Sequence, residues 1–222
     1  SGGTVALPGN SGPNRLIHIR FRHTRANDAR KVLAAGEIWP LLADTVPPFP
    51  VLLRYQLDAL GAVTSCEVVL DARGDQPFFP TPYKDLPQDG RATAFDAAGG
   101  WVTRSLGIDD RWRVVRDGVE LALEGAPAPL AGRLWSALGD DQPVALRPAG
   151  GVAFVGRVDG DSAQARVLVQ DGVVLARQGE ILAALAPRTI EPRADTNLAY
   201  TADGALLWLA NLSGGGQALL RG

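Results

Sequence analysis

Leu33-Ala-Ala-Gly-Glu-Ile-Trp-Pro-Leu-Leu-Ala-Asp44 leads through a proline-rich loop into Pro50-Val-Leu-Leu-Arg54. Much of it returns as Leu130-Ala-Gly-Arg-Leu-Trp-Ser-Ala-Leu-Gly-Asp140 leading into Pro143-Val-Ala-Leu-Arg147. Gly36 and Trp39 fall against Gly132 and Trp135, and Pro50, Val51 and Arg54 against Pro143, Val144 and Arg147 once three loop residues are removed. Each copy runs from a short apolar segment with one tryptophan, through an acidic loop, into a strand that opens Pro-Val. Self-similarity of this kind predicts repeated structural units. Two similar units are therefore expected, each with a short Trp-bearing helix or turn.

Working outward, Arg15 to His23 alternates, with Ile17, Ile19 and Phe21 on one face and His18, Arg20 and Arg22 on the other, as in a half-buried strand. A short helix is predicted from Asn27 or Asp28 to Gly36, carrying Ala29, Val32 and Leu33 at helical spacing. Val51–Leu57 and Val63–Asp71 read as a hairpin across Asp58-Ala-Leu-Gly61. The prolines and aromatics between Asp75 and Gly100 read as a long connection packed on the protein. Beyond it, Arg111–Arg116 and Val119–Leu123 flank Asp117-Gly118, the signal of a tight hairpin. A helix is predicted from Pro127 to Leu138, with Gly139 just past its end. Strands follow at Val144–Arg147, Val152–Val158, Ala165–Val169 and Val173–Arg177, with turns at Asp159-Gly160 and Asp171-Gly172. Gly179–Ala186 reads as one more short helix, and Asn197–Thr201, Ala205–Asn211 and Gln217–Leu220 as closing strands.

The fold class expected is mainly β, with antiparallel sheets in a sandwich or barrel-like arrangement. The predicted organisation is a flexible arm over 1–14, a first β-rich unit over 15–76, a connection over 77–109, a second β-rich unit over 110–186 and C-terminal strands over 187–222. Without a βαβ rhythm, a doubly wound nucleotide-binding sheet has no support.

With 222 residues, 46% apolar and 21% charged, and a net charge of −2, the composition is that of an ordinary globular chain able to bury a core. No apolar run reaches the length of a membrane span. One cysteine forms no internal disulfide. The chain opens on Ser1, and a secreted, periplasmic or particle-associated setting is the expectation.

Catalytic sets are hard to assemble from these residues. By alternation, the only two histidines, His18 and His23, point to opposite faces of their strand. No metal site and no cofactor are predicted. Cys66 could act as a nucleophile only with a base within reach, and it reads better as a small buried hydrophobe. Asp109-Asp110 and Asp140-Asp141 lie in loops, where solvated charge is the default. Gly214-Gly215-Gly216 lacks the following helix that a phosphate cradle requires.

The most asymmetric feature is cationic. Arg15, Arg20, Arg22, Arg25, Arg30 and Lys31 face only Asp28, a local charge of about +5 that leaves about −7 on the rest. His18, Arg20, Arg22 and Arg25 are thus candidates for binding an anion or a partner; the alternative is that these arginines pair with acidic surface of the same chain. The net acidic charge argues against sequence-specific nucleic-acid binding. Trp101, after two glycines, is the tryptophan that is a candidate for partner contact, with packing in the core the favoured alternative. Arg73-Gly74-Asp75 and the sequon at Asn211 are short enough to arise by chance.

Tyr55-Gln-Leu-Asp-Ala-Leu-Gly-Ala-Val-Thr-Ser-Cys-Glu-Val-Val69 resembles the strand–turn–strand of TonB-type C-terminal domains. The small residues that follow the hairpin in that family are replaced here by Asp71-Ala-Arg-Gly-Asp75, so the resemblance implies a hairpin and no activity. The function expected is a non-catalytic binding or assembly module, with a protein partner or self-assembly foremost and a polyanionic surface possible. The rivals are a small hydrolase-like enzyme using Cys66 or a carboxylate pair, and a small-molecule binder with a pocket between the units.

Overall fold

The computed structural model describes residues 17–27, 29–40, 48–72, 82–139, 142–148 and 150–222, without the side chains at 17–19, 39 and 40. The expected arm, Arg73-Gly74-Asp75 and Asp140-Asp141 lie outside the described residues. The chain is built of antiparallel strands in four sheets, with helix confined to three single 3-10 turns among the described residues.

The first sheet is a meander of β1 (Ile17–Ala26), β2 (Lys31–Pro40), β3 (Phe49–Leu57) and β4 (Val63–Asp71), paired in that order. The helix predicted after Asn27 is instead the opening of β2. Its apolar run is continuous because both faces of this central strand are buried: Leu33 and Ala35 belong to one core cluster, Ile38 to another. A strand covered on both sides loses the two-residue alternation and imitates helical spacing. Asn27 serves the turn, its Oδ1 accepting from the Lys31 N–H at 3.0 Å.

The other three sheets share one plan. The second contains β5 (Tyr83–Asp85), β6 (Thr93–Phe95), β7 (Trp101–Gly107), β8 (Trp112–Arg116) and β9 (Val119–Leu123). The third contains β10 (Trp135–Ala137), β11 (Val144–Leu146), β12 (Val152–Val158), β13 (Arg166–Gln170) and β14 (Val173–Arg177). The fourth contains β15 (Ile190–Pro192), β16 (Ala199–Tyr200), β17 (Leu206–Leu212) and β18 (Gln217–Arg221). In each, two short strands lie end to end on one edge of the long central strand β7, β12 or β17, and the next strand pairs on its other edge.

Matching turns confirm the correspondence. The turn entering the central strand is closed by the N–H of Asp96, Arg147 or Thr201 donating to the carbonyl of Gly100, Gly151 or Ala205, at 3.0, 2.7 and 2.9 Å. Gly99, Gly150 and Gly204 occupy the same place in it at φ +97°, +91° and +84°, a backbone that a side chain would strain. At the far hairpins, Asp117-Gly118 and Asp171-Gly172 both take positive φ, as a type I′ turn requires. The Asp carboxylates accept from the N–H of Trp101 and Val152 at 2.9 and 2.8 Å.

Several expectations change here. Residues 33–40 and 49–54 lie in the adjacent strands β2 and β3, whereas 130–139 and 142–147 hold a turn, β10 and β11, so the described parts of the two matched stretches take different structures. In place of the helix from Pro127, a bridge Pro127↔Leu134 closes a small turn, because prolines at 127 and 129 suit extended backbone and the Glu124 carboxylate captures the N–H of Trp112 and Leu138. Gly179–Ala186 contains only the 3-10 turn Ala183–Leu185. The expected connection holds β5, β6 and β7.

The sheets stack face to face in chain order. Leu33, Ala35 and Leu52 of the first sheet pack on Trp101 and Val115 of the second. Val102 and Val114 on the other face of the second sheet pack with Trp135, Val152, Phe154 and Val169 of the third. Ala153, Val155 and Leu168 on the other face of the third pack on Leu206, Trp208 and Ala210 of the fourth. Each buried Val, Leu or Phe contributes roughly 1.5–3 kcal/mol, so these layers dominate stability. Innermost strands β6, β11 and β16 neighbour one another, an arrangement that resembles consecutive blades of a β-propeller.

Candidate functional site

The cationic residues of β1 meet the second sheet. Arg22 pairs with Glu37 at 2.5 Å and Asp85 at 3.6 Å and donates to the Leu86 carbonyl at 3.0 Å. Arg25 donates to the Gly90 carbonyl at 2.8 Å. Asn27, Lys31 and Arg54 donate in the same way to the carbonyls of Asp96, Ala98 and Gly99, at 2.6, 2.6 and 2.8 Å. A β-bulge between Phe21 and His23 makes this possible, since it turns His23 and Arg25 to the side of Ala35 and Leu33, which faces the second sheet. Strict alternation would have left them beside Phe21. Arg20 remains exposed. His18 pairs through its backbone with Trp39. Arg22 and Arg25 therefore hold two sheets together, and the compact anion-binding face expected of these residues is in large part an intramolecular contact.

His23 lies against Gly90, whose added Cβ would stand 3.5 Å from the ring. Burial, then the charge of Arg25, pushes its pKa below the ordinary histidine value. Trp101 is 4% exposed and packs between the first and second sheets. Of the two readings of this residue, burial favours core packing over partner contact: the glycines before it form the turn that carries it into the core.

Cys66 sits on β4, at the sheet edge opposite the β1 strand that carries both histidines. It is half-buried opposite Tyr55, and burial pushes its thiol pKa up, which disfavours the thiolate. Asp109 is held by Arg111 and Arg113 at 2.8 and 2.5 Å, and Asp110 pairs with Lys84. Among the described residues no three His, Cys, Asp or Glu side chains gather as a metal site would need.

Two concavities lie between sheets. One of about 290 Å³ opens where the innermost strands converge, lined by Arg25, Phe95, Leu146, Asn197 and Tyr200. Burial, with the Asp171 charge added, pushes the Tyr200 hydroxyl up to about 12. A groove of about 540 Å³ between the second and third sheets is lined mainly by apolar side chains, among them Leu121, Pro127, Trp135 and Phe154.

The register identifies a third feature. Val102, Arg104 and Val114 of the second sheet correspond to Ala153, Val155 and Leu168 of the third and to Leu207, Leu209 and Leu219 of the fourth. The first six are 0–1% exposed beneath the next sheet. In the fourth sheet Leu207 and Leu209 are only part-buried and Leu219 is 67% exposed. Sequence reading missed this face. Its signal was Val115-Arg-Asp-Gly-Val-Glu-Leu-Ala122 returning as Val169-Gln-Asp-Gly-Val-Val-Leu-Ala176, which sets the true repeat.

Comparison with known proteins found no matching family model, no matching curated protein and no matching solved structure.

Proposed function

We propose that the protein is a non-catalytic binding module that offers the far face of its fourth sheet to a protein partner. One observation carries the reading. Leu207, Leu209 and Leu219 occupy the positions that the two preceding sheets bury completely, yet they stay accessible. Apolar patches of this kind mark interaction surfaces. The raised thiol of Cys66 and the engagement of Arg22 and Arg25 within the chain point the same way.

A face kept for a partner contributes little to folding. Leu219→Ser is expected to leave thermal stability within about 0.5 kcal/mol of wild type, as for surface substitutions in general. A loss of several kcal/mol would make Leu219 part of the core and end the proposal. A small-molecule reading keeps one specific support, the 290 Å³ cavity bearing Tyr200 and Arg25.

A further inference from the structure

We infer that the cavity where the innermost strands converge binds a small hydroxylated carboxylate, held by Arg25 and by backbone groups on the free edges of β6, β11 and β16. The inference deepens the small-molecule reading and does not depend on the fourth-sheet face.

Register supplies the backbone groups. Phe95, Leu146 and Tyr200 each stand one residue before the turn into the central strand, opposite Trp101, Val152 and Leu206. In the next pair along, the N–H of Asp96, Arg147 or Thr201 donates to the opposing carbonyl. Hydrogen-bonded and open pairs alternate along an antiparallel ladder, so Phe95, Leu146 and Tyr200 sit in open pairs. Their partners agree. The carbonyls of Trp101, Val152 and Leu206 accept from the N–H of Asp117, Asp171 and Gly222 on the opposite side, at 3.1, 2.9 and 2.9 Å. The N–H and C=O of Phe95, Leu146 and Tyr200 therefore point away from the central strand, to an edge on which no further strand pairs among the described residues. All three residues line the cavity. Such edges are ready templates for hydrogen bonds. Three of them around one space present donors and acceptors side by side, a combination that a hydroxyl group can meet in both roles.

Arg25 supplies the charge. Among the described residues that line the cavity it is the one charged side chain. Arg22 pairs with Glu37 and Asp85, whereas Arg25 has no carboxylate partner among the described residues. Its Nη2 donates to the Gly90 carbonyl at 2.8 Å, which anchors the guanidinium. The other N–H donors are left for a ligand, in the planar fork that matches a carboxylate. One guanidinium among neutral walls suits a single negative charge better than the charge of about −2 on a phosphate. The cavity of about 290 Å³ has the space of roughly ten waters at about 30 Å³ each, which accommodates a sugar acid.

Backbone amide NMR of the full chain tests the inference with three probes: gluconate, its uncharged polyol counterpart sorbitol, and hexanoate, a carboxylate without hydroxyls. Gluconate is expected to shift the N–H signals of Phe95, Leu146 and Tyr200 together and saturably. Sorbitol and hexanoate are each expected to bind with about tenfold lower affinity, the worth of one charge-assisted hydrogen bond or of two neutral ones. Arg25→Gln is expected to bring gluconate down to the affinity of sorbitol. If that variant unfolds, Asn197→Asp replaces it, setting a negative charge at an exposed position of the lining and weakening gluconate by about tenfold. Gluconate that leaves the three signals unmoved, or moves only signals elsewhere, overturns the inference and leaves the binding-module reading to the Leu219→Ser test. Sorbitol binding as tightly as gluconate, or a folded Arg25→Gln that binds gluconate as wild type, overturns the carboxylate assignment. Hexanoate binding as tightly as gluconate overturns the role of the strand edges.

Discussion

Arg104 is the residue on which the second and third sheets turn. It is 0% exposed, and its guanidinium donates to the carbonyls of Leu138, Gln142, Pro143 and Val155 at 2.6–3.3 Å. The carbonyls of Leu138 and Gln142, which lie outside the strands, are met by one fork of donors. Replacing it leaves them buried without partners, so Arg104→Ala is expected to cost about 3–5 kcal/mol in denaturant unfolding. Arg104→Lys, with a point charge in place of a planar fork, recovers only part. A variant as stable as wild type would contradict this role. Arg22→Ala, which breaks the contact with Glu37 and Leu86, is expected to cost about 1–3 kcal/mol, whereas exposed Arg20→Ala changes little. His23 supplies a pH dependence of definite sign. Its folded pKa lies below the unfolded 6.5, so the unfolded chain binds more protons and stability falls as pH drops below about 6.5. His23→Gln should flatten that part of the stability–pH curve, and an unchanged slope would refute the assignment. The cations of β1 were legible in the sequence but their destination was not, because one bulge reverses the face of His23 and Arg25 and no local residue type announces it.

At the level of elements, hairpins were the readable part. Asp117-Gly118 and Asp171-Gly172 need positive φ at both positions, a local requirement that short-range sequence expresses. The helices failed for two different reasons. Val32 to Gly36 sits in a strand buried on both faces, and 127–138 is decided by Glu124 reaching across to the Leu138 N–H at 2.7 Å. Neither condition exists until the chain has folded. The repeat was also obscured, since Trp39 and Trp135 drew attention to an alignment that the topology does not follow. Gly156 tests the close fit of the third sheet. A Cβ there would stand 2.6 Å from Trp135 Cζ3, so Gly156→Ala is expected to cost about 1–3 kcal/mol through overpacking. A neutral Gly156→Ala would mean that Trp135 does not cover β12 as described.

For the whole molecule, the stacking order explains why composition suggested a globular protein and nothing more. The same kind of apolar residue is core where another described sheet covers it and accessible where none does, and only register separates the two. Leu207, Leu209 and Leu219 look like any other strand leucines in sequence; only their equivalence to the buried Ala153, Val155 and Leu168 sets their exposure apart. Native Cys66 should react with a thiol reagent far more slowly than the unfolded chain, and a fast native reaction would favour the enzyme reading instead. The most direct measurement is denaturant unfolding of Leu168→Ala beside Leu219→Ala, its equivalent by register. Leu168 is fully buried, so its truncation is expected to cost about 2–5 kcal/mol, and that of Leu219 less than about 0.5 kcal/mol. Equal costs at the two positions would contradict the account.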